Sequence, residues 1–307
     1  MSNIEAVSVV GAGAMGSFFA SKLYDMDNNC VSLIAKGERY DRLRDRGLLV
    51  NSTHYSIPVI SPSDKMCPAD LIIVAVKHHD LAEAIRDIEY RVGDNTLMLS
   101  VMNGIDSEEQ IGAVYGMEKV LYAVAVGIDA VRQGNHVTYT TQGKLLFGEA
   151  ENLTLTERVK RMQALFDRAA IAYDTPTDMI RVLWWKFMIN VGINQVSAVL
   201  RAPYGIFQRS QEAQELMETA MREVMALARA AEVQLIEEDI DNWYSFLAGL
   251  SADGKTSMLQ DVEARRKTEV EMFAGKVVEL GQRYGIATPV NQTFLRLIKV
   301  IEKRYSA

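Results

Sequence analysis

Short apolar runs punctuate the first half of the chain: AVSVV (6–10), VSLIA (31–35), DLIIVAVK (70–77), TLMLSVMNG (96–104), VLYAVAVGI (120–128), HVTYTT (136–141) and KLLFGE (144–149). The early runs are separated by stretches with helical spacing: SFFASKLYDM, RYDRLRDRG with Gly47 as its C-terminal glycine, and HDLAEAIRDI. Apolar strands alternating with helices predict a parallel sheet covered on both faces. The pattern changes at DTPTDMIRVLWW (174–185), after which almost no strand signal remains. Residues 212–233 and 258–285 carry helical periodicity, the second stretch opened by the loop LSADGKTS (250–257). The chain therefore reads as an α/β domain over 1–176 followed by an all-α domain over 177–307.

Within the helical half, VLWWKFMINVGINQVSAVL (182–200) is among the most apolar stretches, yet it carries Lys186, Asn190 and Asn194. Four residues advance an α-helix by about 400°, so the three share one stripe roughly 12 Å long. Folding does not require such a stripe. The plainer reading is a snorkelling lysine and two satisfied core amides. The sharper one is a substrate site containing an ammonium.

Composition narrows the choice. A net charge of -7 over 307 residues argues against a nucleic-acid or anionic-membrane surface, both of which need a basic face. It leaves room for a small anionic ligand. Two cysteines, Cys30 and Cys67, read as reduced thiols rather than a disulfide framework. Neither a signal peptide nor a membrane-length apolar run is visible, so a cytoplasmic protein is expected.

The first strand runs directly into Gly11-Ala12-Gly13-Ala14-Met15-Gly16, which then opens a helix. G-x-G-x-x-G in that setting is the dinucleotide-binding fingerprint, and it makes the predicted sheet a doubly wound one of Rossmann type. An ordinary tight turn is the weaker alternative. The second strand ends in Lys36, with Arg39 close behind, where NAD enzymes usually place Asp or Glu. Positive charge there suits a 2′-phosphate, so NADPH is the expected cofactor. Glu38 is the competing acidic residue.

The sequence resembles the ketopantoate reductase (2-dehydropantoate 2-reductase) family nearly end to end, through GAGAMG, VKHHD, MNGID, WWKFMINVGIN and TSMLQDVEARRKTEVEMFAG. The resemblance implies a catalytic lysine at Lys186 and substrate-binding amides at Asn190 and Asn194. It implies substrate and ribose contacts at Asn103, cofactor contacts at Lys77 and Ala130, a carboxylate-holding serine at Ser257, and a glutamate near lysine and cofactor at Glu269. Two positions depart from the family pattern: Tyr204 stands where a further substrate-side asparagine is usual, and Gln195 replaces a commonly seen proline. A small 2-keto acid is the implied substrate, and a homodimer is compatible with the reading.

These residue types suit ketone reduction, which needs a hydride on carbon and a proton on oxygen. Burial would lower the lysine pKa, and Glu269 would hold its charge, leaving a donor poised near working pH. Several residues also have plainer roles. Ser257 would cap a helix through a box with Gln260, Asn103 would sit in an Asn-Gly turn, and EARRK (263–267) would be a solvated helix face. His78 and His79 read as loop residues, and Trp184 and Trp185 as packing. Two other functions compete: a D-2-hydroxyacid dehydrogenase for branched or aromatic 2-keto acids, motivated by Tyr204, and a non-catalytic NADP-sensing protein.

Overall fold

The computed structural model describes residues 3–305. The chain divides into two compact units, Met1–Ile180 and Arg181–Ala307. In the first, β1 (Val7–Val10), α1 (Ala14–Met26), β2 (Val31–Ile34), α2 (Gly37–Arg46), β3 (Leu48–Val50), β4 (Thr53–Tyr55), β5 (Val59–Ile60) and β6 (Leu71–Val74) come first. They are followed by α3 (Leu81–Asp87), β7 (Leu97–Ser100), α4 (Ser107–Tyr115), β8 (Val120–Ile128), β9 (Val131–Gln133), β10 (His136–Thr138), β11 (Gln142–Gly148), α5 (Glu157–Arg168) and β12 (Tyr173–Asp174).

The main sheet has the order β12-β11-β8-β7-β6-β1-β2-β5. From β5 to β8 every pairing is parallel, and β11 then runs antiparallel to β8. Strand residues alternate between two cores, as a period of two requires. Val7, Val9, Leu71 and Ile73 join Phe18, Phe19, Leu23, Met162 and Phe166, which belong to α1 and α5. Val10, Ile72 and Val74 join Leu81, Ala84, Ile85 and Ile111, from α3 and α4. Both faces are thus covered, and these strands are apolar on both sides. The chain leaves β1 toward β2 and β5 and then returns to β6, so the loop after β1 lies where the strand order reverses, the ligand-binding position of such sheets. A second sheet, β4-β3-β10-β9, includes the hairpin that turns at Gly134 (φ +61°).

The second unit is helical, with α6 (Met179–Leu200), α7 (Tyr204–Phe207), α8 (Gln211–Ala230), α9 (Glu237–Ala248), α10 (Ser257–Glu263), α11 (Lys276–Tyr284) and α12 (Pro289–Lys303). The stretch 258–285, with one helical periodicity in the sequence, is broken. Residues 264–270 lie outside any helix, and a π-helical turn at Glu271–Gly275 precedes α11. The break has identifiable causes: Arg265 is left-handed (φ +52°), and Arg266 folds back to donate to the Asp261 carbonyl (2.8 Å) and carboxylate (2.9 Å). Thr268 is pinned by its N–H and hydroxyl to Glu302 Oε1, each at 2.7 Å. The EARRK segment is solvated as expected, but it mostly lies past the helix end rather than on a helix face. Among the described residues no helix is long and apolar enough to cross a membrane.

The first βα turn is the tightest point of the α/β unit. A Cβ on Gly16 would stand 1.9 Å from the Gly11 carbonyl oxygen, a backbone atom that cannot swing away. Gly16→Ala should therefore separate strand and helix and destabilise the unit by about 1–3 kcal/mol, the usual cost of overpacking. Thermal denaturation checks this; an unchanged Tm would mean that the turn relaxes freely.

Candidate active site

The glycine loop divides its labour by position. Gly11 adopts φ +98° with Ala75 backbone atoms 2.6 Å from where a Cβ would be, so it can be only glycine. Gly16 permits the close packing described above. Gly13 differs: a Cβ there would meet nothing closer than the Ala75 oxygen at 3.9 Å. Nothing in the fold requires glycine at that point, and the open space is what a pyrophosphate approaching the backbone needs. Gly13 is also the N-cap of α1 and brings no side-chain cap, so the amides at Ala14 and Met15 face outward with the helix dipole behind them. The loop fits a dinucleotide.

Around it, Lys77 ends the segment after β6 and caps a single 3₁₀ turn, His78–Asp80. The two histidines are therefore in a helical turn rather than an open loop, with His78 Nδ1 4.0 Å from Asp106 Oδ1. Asn103 precedes Gly104 (φ +105°) in the turn after β7, and Ala130 lies between β8 and β9, packed against the core. Lys36 is engaged within the fold: its Nζ lies 2.5 Å from Glu83 Oε1 and 2.7 Å from Asp87 Oδ1, both on α3. Hydrogen bonds to Asp87 and Glu83 hold its ammonium above the ordinary lysine range. One contact had no signal in the sequence. Arg132 of β9 donates through Nη1 to the Ala12 carbonyl, 3.1 Å away in the glycine loop, and through Nε to Gly134 O at 2.7 Å.

In the helical unit the polar stripe is present on α6. Asn190 and Asn194 are each 6% exposed, and Lys186 is half-buried beside Phe187 and Trp184, whose rings meet edge to face. Burial lowers the Lys186 ammonium from 10.5 to about 8. The expected carboxylate counterweight is absent from that balance, because desolvation is its sole cause. Glu269 is buried just before the π-helical turn, where its backbone carbonyl accepts from the Met272 and Phe273 amides at 3.0 and 3.1 Å. Lys186 and Asn194 side chains make no hydrogen bond or ion pair among the described residues.

The other polar residues of α6 are spent on the fold. Gln195, fully buried, donates to Val191 O and Asn291 Oδ1 and accepts from the Ala274 amide. It ties α6 to α12 and to the π-helical turn, so its departure from proline is a packing feature. Ser197 donates to Ala202 O (2.6 Å) and accepts from Thr256 Oγ1 (3.1 Å). That pair anchors the start of α10 one turn beyond Asn194.

The cap of α10 is Thr256, whose Oγ1 accepts from the Leu259 amide at 3.2 Å. The expected box with Ser257 as cap does not form, and Gln260 Nε2 instead donates to Lys255 O. Ser257 becomes the first residue of the helix, exposed, with its hydroxyl unengaged among the described residues. A hydroxyl beside free helix-start amides can hold a carboxylate. Tyr204, first residue of α7, donates its N–H to Gly254 O (2.9 Å) and lays its ring on Gly254, where a Cβ would come within 3.0 Å of Cδ2. It borders the loop that leads into Ser257.

Comparison with known proteins assigns a family to the chain. Ketopantoate reductase PanE/ApbA matches residues 7–152, and ketopantoate reductase PanE/ApbA C terminal matches residues 178–302. A 2-dehydropantoate 2-reductase of Archaeoglobus fulgidus is 28% identical over 310 residues, covering 97% of this chain and 98% of the relative. One from Aquifex aeolicus is 26% identical over 302 residues, covering 96% of each. Among solved structures, a D-mandelate dehydrogenase with NADH and anilino(oxo)acetate superposes with a TM-score of 0.90 at 22% identity, over 98% of this chain and 99% of that one. A ketopantoate reductase from Ralstonia eutropha JMP134 gives 0.85 at 25% identity, over 98% and 100%. With both halves matched in order along the chain, the protein belongs to the ketopantoate reductase family.

Proposed function

We propose that the chain is an NADPH-dependent reductase of 2-dehydropantoate, yielding (R)-pantoate for pantothenate and coenzyme A synthesis. The observation that carries this reading is Lys186: a half-buried ammonium, lowered to about 8, with no ion-pair partner among the described residues and a stripe of amides on its helix face. A structural lysine would be paired or would carry its ammonium fully into solvent. A non-catalytic sensor has no use for a proton donor kept in this state. A bound nicotinamide supplies the hydride.

The protein's own part follows from the residue types. Lys186 polarises the keto oxygen and gives it the proton as the alkoxide forms. Asn190 and Asn194 donate hydrogen bonds without adding charge. Ser257 and the start of α10 hold the substrate carboxylate. Asn103, Lys77 and Ala130 are assigned to cofactor and substrate contact. Glu269 is assigned to both roles that the resemblance implies, beside the catalytic lysine and beside the cofactor.

Tyr204 favours a second reading on the same fold and chemistry. An aromatic ring beside the Ser257 loop, in place of an amide, suits a branched or aromatic 2-keto acid. Cofactor oxidation with 2-dehydropantoate, 2-ketoisovalerate and benzoylformate separates the two. We expect the highest kcat/KM with 2-dehydropantoate; a preference for benzoylformate would transfer the protein to the second reading.

Lys186→Met should lower kcat by about 10²-fold or more, the contribution typical of a positioned acid, while dinucleotide affinity holds. The wild-type kcat should fall as pH rises through about 8, because the donor is then deprotonated. A flat profile from pH 6 to 10, or near-normal turnover in the variant, would remove the lysine from the mechanism. The same group makes a stability prediction. Its folded pKa lies below its unfolded one, so the native state binds fewer protons and is penalised below about pH 8, and the penalty fades as pH rises toward 10.5. Lys186→Met should therefore raise Tm most at pH 7 and least near pH 10. A Tm gain that does not depend on pH would contradict this.

A further inference from the structure

The charges around the glycine loop are not distributed as the end of β2 suggested. Lys36 faces two carboxylates, Glu83 at 2.5 Å and Asp87 at 2.7 Å, so its own charge is already matched within the fold. A phosphate arriving there would have to displace both. Arg132 is in the opposite situation. Two of its N–H groups donate to Ala12 O and Gly134 O, which hold the guanidinium on the glycine loop and leave its remaining donors unassigned. Arg39 and Arg42 stand three residues apart on α2, and so on one face of that helix. Neither side chain makes an ion pair or hydrogen bond among the described residues. Burial, followed by the charges of Arg42 and Arg39, pulls the Arg132 guanidinium below its ordinary value. The charges of Arg39 and Arg42 act unfavourably on Arg132, which no carboxylate offsets, whereas Arg39 also acts on Glu83.

We propose that Arg132, with Arg39 and Arg42, reads the adenosine 2′-phosphate of the cofactor, while Lys36 is a structural charge tying the β2 end to α3. The inference rests on the NADPH reading given above and names the residues that would enforce it. The location favours this phosphate over another anion. The glycine loop follows β1, α2 follows the neighbouring β2, and the adenosine ribose of a dinucleotide lies at that β2 end. Guanidinium groups match phosphate with paired hydrogen bonds, and a dianion would offset the unfavourable charges acting on Arg132. A free ribose diol would instead need a carboxylate, for which Glu38 is the nearby candidate in the first turn of α2.

The test is direct binding to the full chain. NADPH and NADH are titrated by fluorescence, and 2′,5′-ADP and 5′-AMP by calorimetry, against wild type, R132Q, R39Q/R42Q and K36Q. Losing charge-assisted hydrogen bonds should raise the Kd for NADPH and 2′,5′-ADP about tenfold or more in both arginine variants. NADH and 5′-AMP should change by less than about threefold, which also shows that the variants are folded. K36Q should shift NADPH and NADH by the same factor. Equal losses for both dinucleotides in the arginine variants would mean that they serve the shared pyrophosphate, and would overturn the proposal. So would selective loss of NADPH in K36Q, or a wild type that binds 5′-AMP as tightly as 2′,5′-ADP. These readouts need no turnover. Selective binding without reduction of any 2-keto acid would sink the functional reading and leave this one standing; reduction with unselective arginine variants would do the reverse.

Discussion

Helix α6 is buried along most of its length, so every polar side chain on it must be matched within the fold or kept for something outside it. Gln195 and Ser197 are matched: between them they bind Val191, Asn291, Ala274, Ala202 and Thr256, and they set where α10, α12 and the π-helical turn sit against α6. Lys186 and Asn194 are not matched in this way. Gln195 and Ser197 thus serve the fold from either side of Asn194, being about 200° apart around the helix, while the Lys186 and Asn194 side chains are left over. A half-buried ammonium without a counter-ion costs stability, and its lowered pKa makes it a stronger acid than a solvated lysine.

The same division of labour recurs at α10. Two adjacent hydroxyls, Thr256 and Ser257, begin the helix. Thr256 takes the capping bond and the link to Ser197, which leaves the neighbouring hydroxyl available. The break at 264–270 belongs to this logic as well. A continuous helix would have carried Glu269 onward with the helical period; the turn at Arg265 and the clamp of Thr268 on Glu302 bring it inside instead.

In the α/β unit, electrostatics depends on pairing more than on the number of charges. Lys36 and Arg132 are both cations near the dinucleotide loop, but one is compensated by α3 and the other is surrounded by its own kind. Net charge over the whole chain, which is negative, gives no hint of this.

Local periodicity and spacing were sufficient for much of the structure. The alternation of apolar runs and helices fixed the doubly wound class, because a strand buried on both faces has to be apolar throughout. G-x-G-x-x-G after a strand identified the loop, because the motif and its strand-to-helix setting are local, although the backbone that confines Gly11 is that of Ala75 and only Gly16 is confined from within the motif. Spacing by four placed Lys186, Asn190 and Asn194 on one stripe for the same reason: helical geometry is local. What spacing could not convey were choices made by partners distant in the chain. Glu83 and Asp87 claim Lys36 from about fifty positions away, Arg132 reaches Ala12 from a separate sheet, and Glu302 pins Thr268 from another helix. Thr256 rather than Ser257 became the cap because Ser197 holds it from α6. Such pairings, and the desolvation that lowers Lys186, exist only once the chain has folded, since burial and long-range contact are properties of the packed molecule.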